Sequence, residues 1–132
     1  MNILSDTSIF LAVVLDEPER ESIIQHTSGA SIYAPEILPY EIGNALSSMI
    51  KRKQLTRAEA LIAQNTTSKI PVRLIKVDIY EALQLAIDFN IYAYDAYFLQ
   101  CARLLSCPLM TLDKKMMQVA RDLGIEVMRE TE

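Results

Sequence analysis

Apolar residues fall in short blocks split by polar punctuation, and their period alternates along the chain. Asn2-Ile3-Leu4-Ser5 reads as a short buried strand. Thr7 to Leu15 is an apolar helix that Thr7 or Ser8 can cap. Pro18 suits a first helical turn, and a polar helix follows to about Thr27. Ser28-Gly29 is a turn, and Ser31 to Ala34 a second strand. Pro35-Glu36 opens a long helix to about Lys53, on which Leu38, Ile42, Ala45, Leu46 and Met49 recur at helical spacing. Thr56 and Glu59 form a capping box for a helix to about Ser68. Pro71 to Val77 is a third strand, and Asp78 caps a helix to about Phe89. Asn90 makes a tight link into a helix from Tyr94 to Leu105. Leu109 to Leu112 is a fourth strand, Lys114 to Leu123 a helix stopped by Gly124, and Ile125 to Met128 a fifth strand.

Short apolar strands alternating with helices predict an α/β fold: a mostly parallel five-stranded sheet covered on both sides, a three-layer α/β/α sandwich. Ligands in such folds bind where strands end at their carboxyl edge. The length of 132 residues suits one domain, 1–132, and 51% hydrophobic residues support a sizeable core. The run Ile9 to Leu15 is too short to span a bilayer and has no basic region before it, so neither a signal peptide nor a membrane helix is expected. Cys101 and Cys107 match neither a redox nor a zinc spacing and read as reduced thiols in a cytoplasmic protein.

Four acids stand within or at the edge of apolar segments: Asp6, Glu41, Asp95 and Asp113. Asp6 and Asp113 each follow a strand, and each can instead cap the helix after it. Asp95 can serve as a first-turn carboxylate that answers a helix dipole. Glu41 has no such alternative. It lies mid-helix, three residues after Leu38 and four before Ala45, on the core-facing stripe, where an unpaired charge costs several kcal/mol. A metal or a site crevice accounts for it. Asn44, one turn on, can orient Glu41 or bind a water. The hydroxyls of Ser8 and Thr111, two residues from Asp6 and Asp113, can hold a carboxylate or a metal-bound water, or simply form turns.

Carboxylates and water suit Mg²⁺ or Mn²⁺ and not zinc. The single histidine, His26, lies in a polar helix away from the acids, so a Ser-His-Asp triad is excluded. Only three scattered glycines are present, which excludes a phosphate-cradling Gly-rich loop. Metal-assisted attack of water on a phosphodiester remains.

Asp6-Thr7-Ser8 after a first strand, Glu41 with Asn44 in a helix, Tyr94-Asp95-Ala96-Tyr97 opening a helix and Thr111-x-Asp113 after a strand together resemble the PIN domain. Nearly the whole chain is covered, and its length and alternation resemble the VapC-type toxins of bacterial toxin–antitoxin pairs. The resemblance implies a Mg²⁺-dependent endoribonuclease, with Asp6, Glu41, Asp95 and Asp113 as the metal-binding and catalytic set and Ser8 and Thr111 as supporting hydroxyls. It also implies a homodimer inhibited by a cognate antitoxin. One departure stands out. Many members carry a further acid shortly after the last one, whereas Lys114 and Lys115 follow Asp113 here, which leaves one or two metal ions open. A non-catalytic PIN-like module that binds RNA or protein is the alternative reading.

The net charge of -4 means that RNA must meet local positive charge. Lys114 and Lys115, beside Asp113, are read as phosphate contacts. Lys51-Arg52-Lys53 with Arg57 are read as a solvated helix end. Tyr92, Tyr94 and Tyr97 crowd around Asp95 as core, dimer interface or base-stacking groups.

Overall fold

Strand β1 (Asn2–Ser5) lies at the centre of a five-stranded sheet ordered β3-β2-β1-β4-β5. The structure is a computed structural model that describes residues 1–128; residues 129–132, inside the domain span read from the sequence, lie outside the described residues. After β1 come helices α1 (Thr7–Val14) and α2 (Arg20–Thr27), strand β2 (Ser31–Pro35), and helices α3 (Leu38–Lys51) and α4 (Arg57–Thr67). Strand β3 (Arg73–Ile75) leads to α5 (Ile79–Phe89) and α6 (Ala93–Leu105). Strand β4 (Leu109–Met110), α7 (Lys114–Asp122) and β5 (Val127–Met128) complete the described chain. Every strand pairing is parallel.

Alternation along β1 and β4 divides the core between two faces. Ile3 and Met110 pack with Ile9 and Ala12 of α1 and Ile23 of α2. Leu4 and Leu109 face the other layer, with Leu38, Ile42 and Leu46 of α3, Leu85 of α5, Leu99 of α6 and Val119 of α7. Helices thus cover both faces, as the sequence pattern predicted.

The elements differ from the sequence reading mainly at their ends. Pro35 does not open a helix. It ends β2, paired with Ile75, and the Glu36 N–H donates to the Ile75 carbonyl at 2.9 Å. Pairing with β3 holds the chain extended through Pro35; Glu36 and Ile37 then turn into α3, and Pro39 falls in its first turn, where a missing N–H costs nothing. Strands β3, β4 and β5 are shorter than their apolar runs because only residues with a ladder partner remain extended. The capping box of Thr56 with Glu59 and the Asp78 cap form as expected. Asn90 closes α5 in the left-handed region at φ 52, which asparagine tolerates better than most residues.

The chain leaves β1 for β2 and β3 on one side, then crosses to β4 on the other. The connections therefore diverge between β1 and β4. Such a switch point opens a crevice at the carboxyl edge of a parallel sheet.

Candidate active site

Asp6 follows β1 directly, and the β1–β4 register (Leu4 with Leu109, Ser5 with Met110) brings Thr111 beside it. The Asp6 N–H continues this ladder to the Met110 carbonyl at 3.1 Å. The Asp6 carboxylate is 6% exposed and accepts from the Ser8 hydroxyl at 2.6 Å, the Thr111 hydroxyl at 2.5 Å and the Ile9 N–H at 3.4 Å. Both hydroxyls are held in turn. Ser8 Oγ accepts from Leu112 N–H at 3.1 Å, and Thr111 Oγ1 from Asp113 N–H at 3.0 Å. Thr111, expected near Asp113, thus donates its hydroxyl hydrogen bond to Asp6, while the Asp113 N–H fixes its orientation.

Asp6 and Asp113 are both caps, and capping leaves each carboxylate lone pairs for a further partner. Asp6 caps α1, in place of Thr7 or Ser8, because its carboxylate reaches the Ile9 N–H. Asp113 caps α7 by accepting from Lys115 N–H at 2.9 Å and Met116 N–H at 3.1 Å. Each cap anchors its carboxylate at the sheet edge.

Three of the four acids are held above the ordinary carboxylate range. Burial pushes the Asp6 carboxyl up to about 6; the hydrogen bonds from Ser8, Thr111 and Ile9 oppose this, and Asp113 adds to it. Burial also raises Glu41, reinforced by the charges of Asp95 and Asp6. Asp95 is raised by burial and by Asp113, with Lys115 opposing. These couplings link Glu41 to Asp95 and Asp6, and Asp113 to Asp6 and Asp95. Glu41 is half-buried in the first turn of α3, not mid-helix as the sequence pattern predicted, because α3 begins only at Leu38. It shares with Asp95, in the first turn of α6, a place that the helix dipole favours for a carboxylate.

Asp95 and Asp113 share a cavity of about 580 Å³ with Asn90, Ile91, Tyr92 and Lys115. The sequence reading treated Asn90 only as a link. Its one available signal was an asparagine directly after a helical run. Asn44 is exposed and makes no hydrogen bond to Glu41 among the described residues.

The donor set consists of carboxylate and hydroxyl oxygens, which suit a hard cation such as Mg²⁺. Among the described residues the only ion pairs are those of Arg20 with Asp16 and Glu21, so the buried Asp6 has no basic partner. A cation would fill that role, and in charge and chemistry the site fits one. Its spacing is open, however. Among the described residues no three His, Cys, Asp or Glu side chains stand close enough to hold an ion as placed.

Residues 3–122 match the PIN domain. The chain belongs to the PIN domain family. It is 28% identical over 115 residues to the VapC ribonuclease Mb0985 of Mycobacterium bovis, covering 86% of this chain and 87% of that one. Ribonuclease VapC9 of Mycobacterium tuberculosis matches to the same extent. Among solved structures, PAE2754 from Pyrobaculum aerophilum superposes with a TM-score of 0.69 at 22% identity, over 90% of this PIN domain and 79% of that chain. VapBC-1 from nontypeable Haemophilus influenzae gives 0.68 at 17% identity, over 100% of both chains.

Proposed function

We propose that this PIN domain is a Mg²⁺-dependent endoribonuclease and the toxin of a type II toxin–antitoxin pair. The observation that carries the reading is the held state of Asp6: a buried carboxylate with no basic partner among the described residues, fixed by two hydroxyls at the switch point of the sheet. The similarity to VapC ribonucleases supports RNA as the substrate. In this reading Asp6, Glu41, Asp95 and Asp113 hold the cation, with Mn²⁺ able to replace Mg²⁺. When bound, the cation makes a water more acidic and offsets charge on the leaving oxygen.

The chain's own residues do the positioning. Ser8 and Thr111 fix both oxygens of Asp6, so no rotamer search is needed when substrate arrives. Glu41 is held back from ready ionisation by burial, reinforced by the charges of Asp95 and Asp6, and is suited to orient or receive a proton from water. Solved VapBC structures among the neighbours support a cognate antitoxin partner. A homodimer and a cytoplasmic location complete the reading, and no described helix is long and apolar enough to cross a membrane.

Incubating the protein with RNA and Mg²⁺ beside an Asp6→Asn variant tests the reading. Wild type should cleave and the variant should not. Equal cleavage by both would remove the site assignment, and no cleavage by either would favour a non-catalytic binding module.

A further inference from the structure

The cavity beside the acids contains a cation of the protein's own. Lys115 lines it together with Asp95, Asp113, Tyr92 and the Asn90 turn. The root of this side chain is fixed, because its N–H donates to the Asp113 carboxylate at 2.9 Å. Its Nζ lies 3.5 Å from the Asn90 carbonyl. Lys115 forms no ion pair among the described residues, yet it is near enough for its charge to oppose the rise of Asp95. The ammonium therefore faces the acids without being neutralised by either. Tyr92, on the same wall, is 82% exposed. A cavity of this size lies within the range that takes a small ligand.

A polyanion approaching such a cleft meets carboxylates on every other charged side. One ammonium rooted in that wall offsets the repulsion at one point and so favours that point as the resting place of a phosphate. Lysine binds phosphate as a point charge and needs no forked geometry. We propose that Lys115 is a positioning residue that seats a backbone phosphate of RNA at the mouth of the acid cleft. This rests on the ribonuclease reading above and adds the group that registers the substrate.

The test uses the full chain and a 5′-labelled single-stranded RNA oligonucleotide. Binding is followed by fluorescence anisotropy across a salt series, in an Asp6→Asn background that prevents cleavage. Adding Lys115→Gln should weaken binding roughly fivefold near 0.1 M salt and lower the slope of log affinity against log salt by about 0.7, the value for one phosphate contact on a single strand. Lys115→Arg should restore both, and Lys69→Gln, an exposed lysine beyond α4, should leave both unchanged. In otherwise wild-type protein, Lys115→Gln should raise KM with kcat nearly constant. Unchanged affinity, slope and KM in a protein that still cleaves RNA would overturn the role of Lys115 and leave the ribonuclease reading standing. A wild type that neither binds nor cleaves RNA would overturn both.

Discussion

Replacing Asp6 by asparagine should reverse its effect on stability with pH. Burial lifts the Asp6 carboxyl from 3.8 to about 6, so the folded state binds this proton more tightly than the unfolded chain does. The unfolded chain releases it first as pH rises. Stability is therefore fully present below about pH 4 and falls until about pH 6, after which the loss is constant. Integrating over that window, the charge costs about 1 kcal/mol at pH 4.5 and about 3 kcal/mol at pH 7.5. Asparagine removes this cost at every pH. It introduces a constant one, because its amide nitrogen cannot accept from whichever hydroxyl, Ser8 or Thr111, it faces. A stranded hydroxyl costs about 1–2 kcal/mol. In EDTA, Asp6→Asn should thus be equal to or less stable than wild type at pH 4.5 and more stable by about 1–2 kcal/mol at pH 7.5. Urea unfolding at both pH values measures the difference, which should swing by about 2 kcal/mol and move the midpoint by roughly 1 M. Because only the difference between the proteins is read, titrating groups that do not interact with Asp6 cancel; Glu41, raised in part by the Asp6 charge, adds to the swing in the same direction. A difference that stays constant with pH would refute the claim that this carboxylate is buried at a cost.

Millimolar Mg²⁺ should raise the wild-type melting temperature at pH 7.5, because an ion bound only by the folded state stabilises it, and Asp6→Asn should show a smaller rise in the same thermal scan. Thr111→Val removes a donor to Asp6 and the acceptor of Asp113 N–H; urea unfolding should show a loss of about 1–3 kcal/mol, and RNA cleavage should fall on the order of 10–100-fold. Thr56→Ala breaks the capping box of α4 and should cost about 1 kcal/mol in urea unfolding while leaving cleavage per folded molecule unchanged.

What could be read from the sequence was what neighbours in the chain decide. The Thr56–Glu59 box, the Asp78 cap and the turns at Asn90 and Gly124 depend on residues a few positions apart, and all form where expected. The apolar blocks gave the alternation of strands and helices, since burial on two faces leaves a direct trace in composition. Pro35 departs from the local pattern because its extended state comes from pairing with Ile75, forty positions away. For the same reason the partner of Thr111 was out of view: only the β1–β4 register places it on Asp6 and not on nearby Asp113. Opposing cap to site for Asp6 and Asp113 was also too narrow, since one carboxylate has lone pairs enough for both.

The bond between Thr111 and Asp6 joins residues 105 positions apart. The ribosome makes Asp6 well before Thr111. Until β4 has emerged and paired with β1, the Asp6 carboxylate lacks one of its two hydroxyl donors and Asp113 has no place beside it. A nascent chain therefore carries an unassembled cleft, and whatever chemistry the acids perform has to wait until β4 has been made and paired.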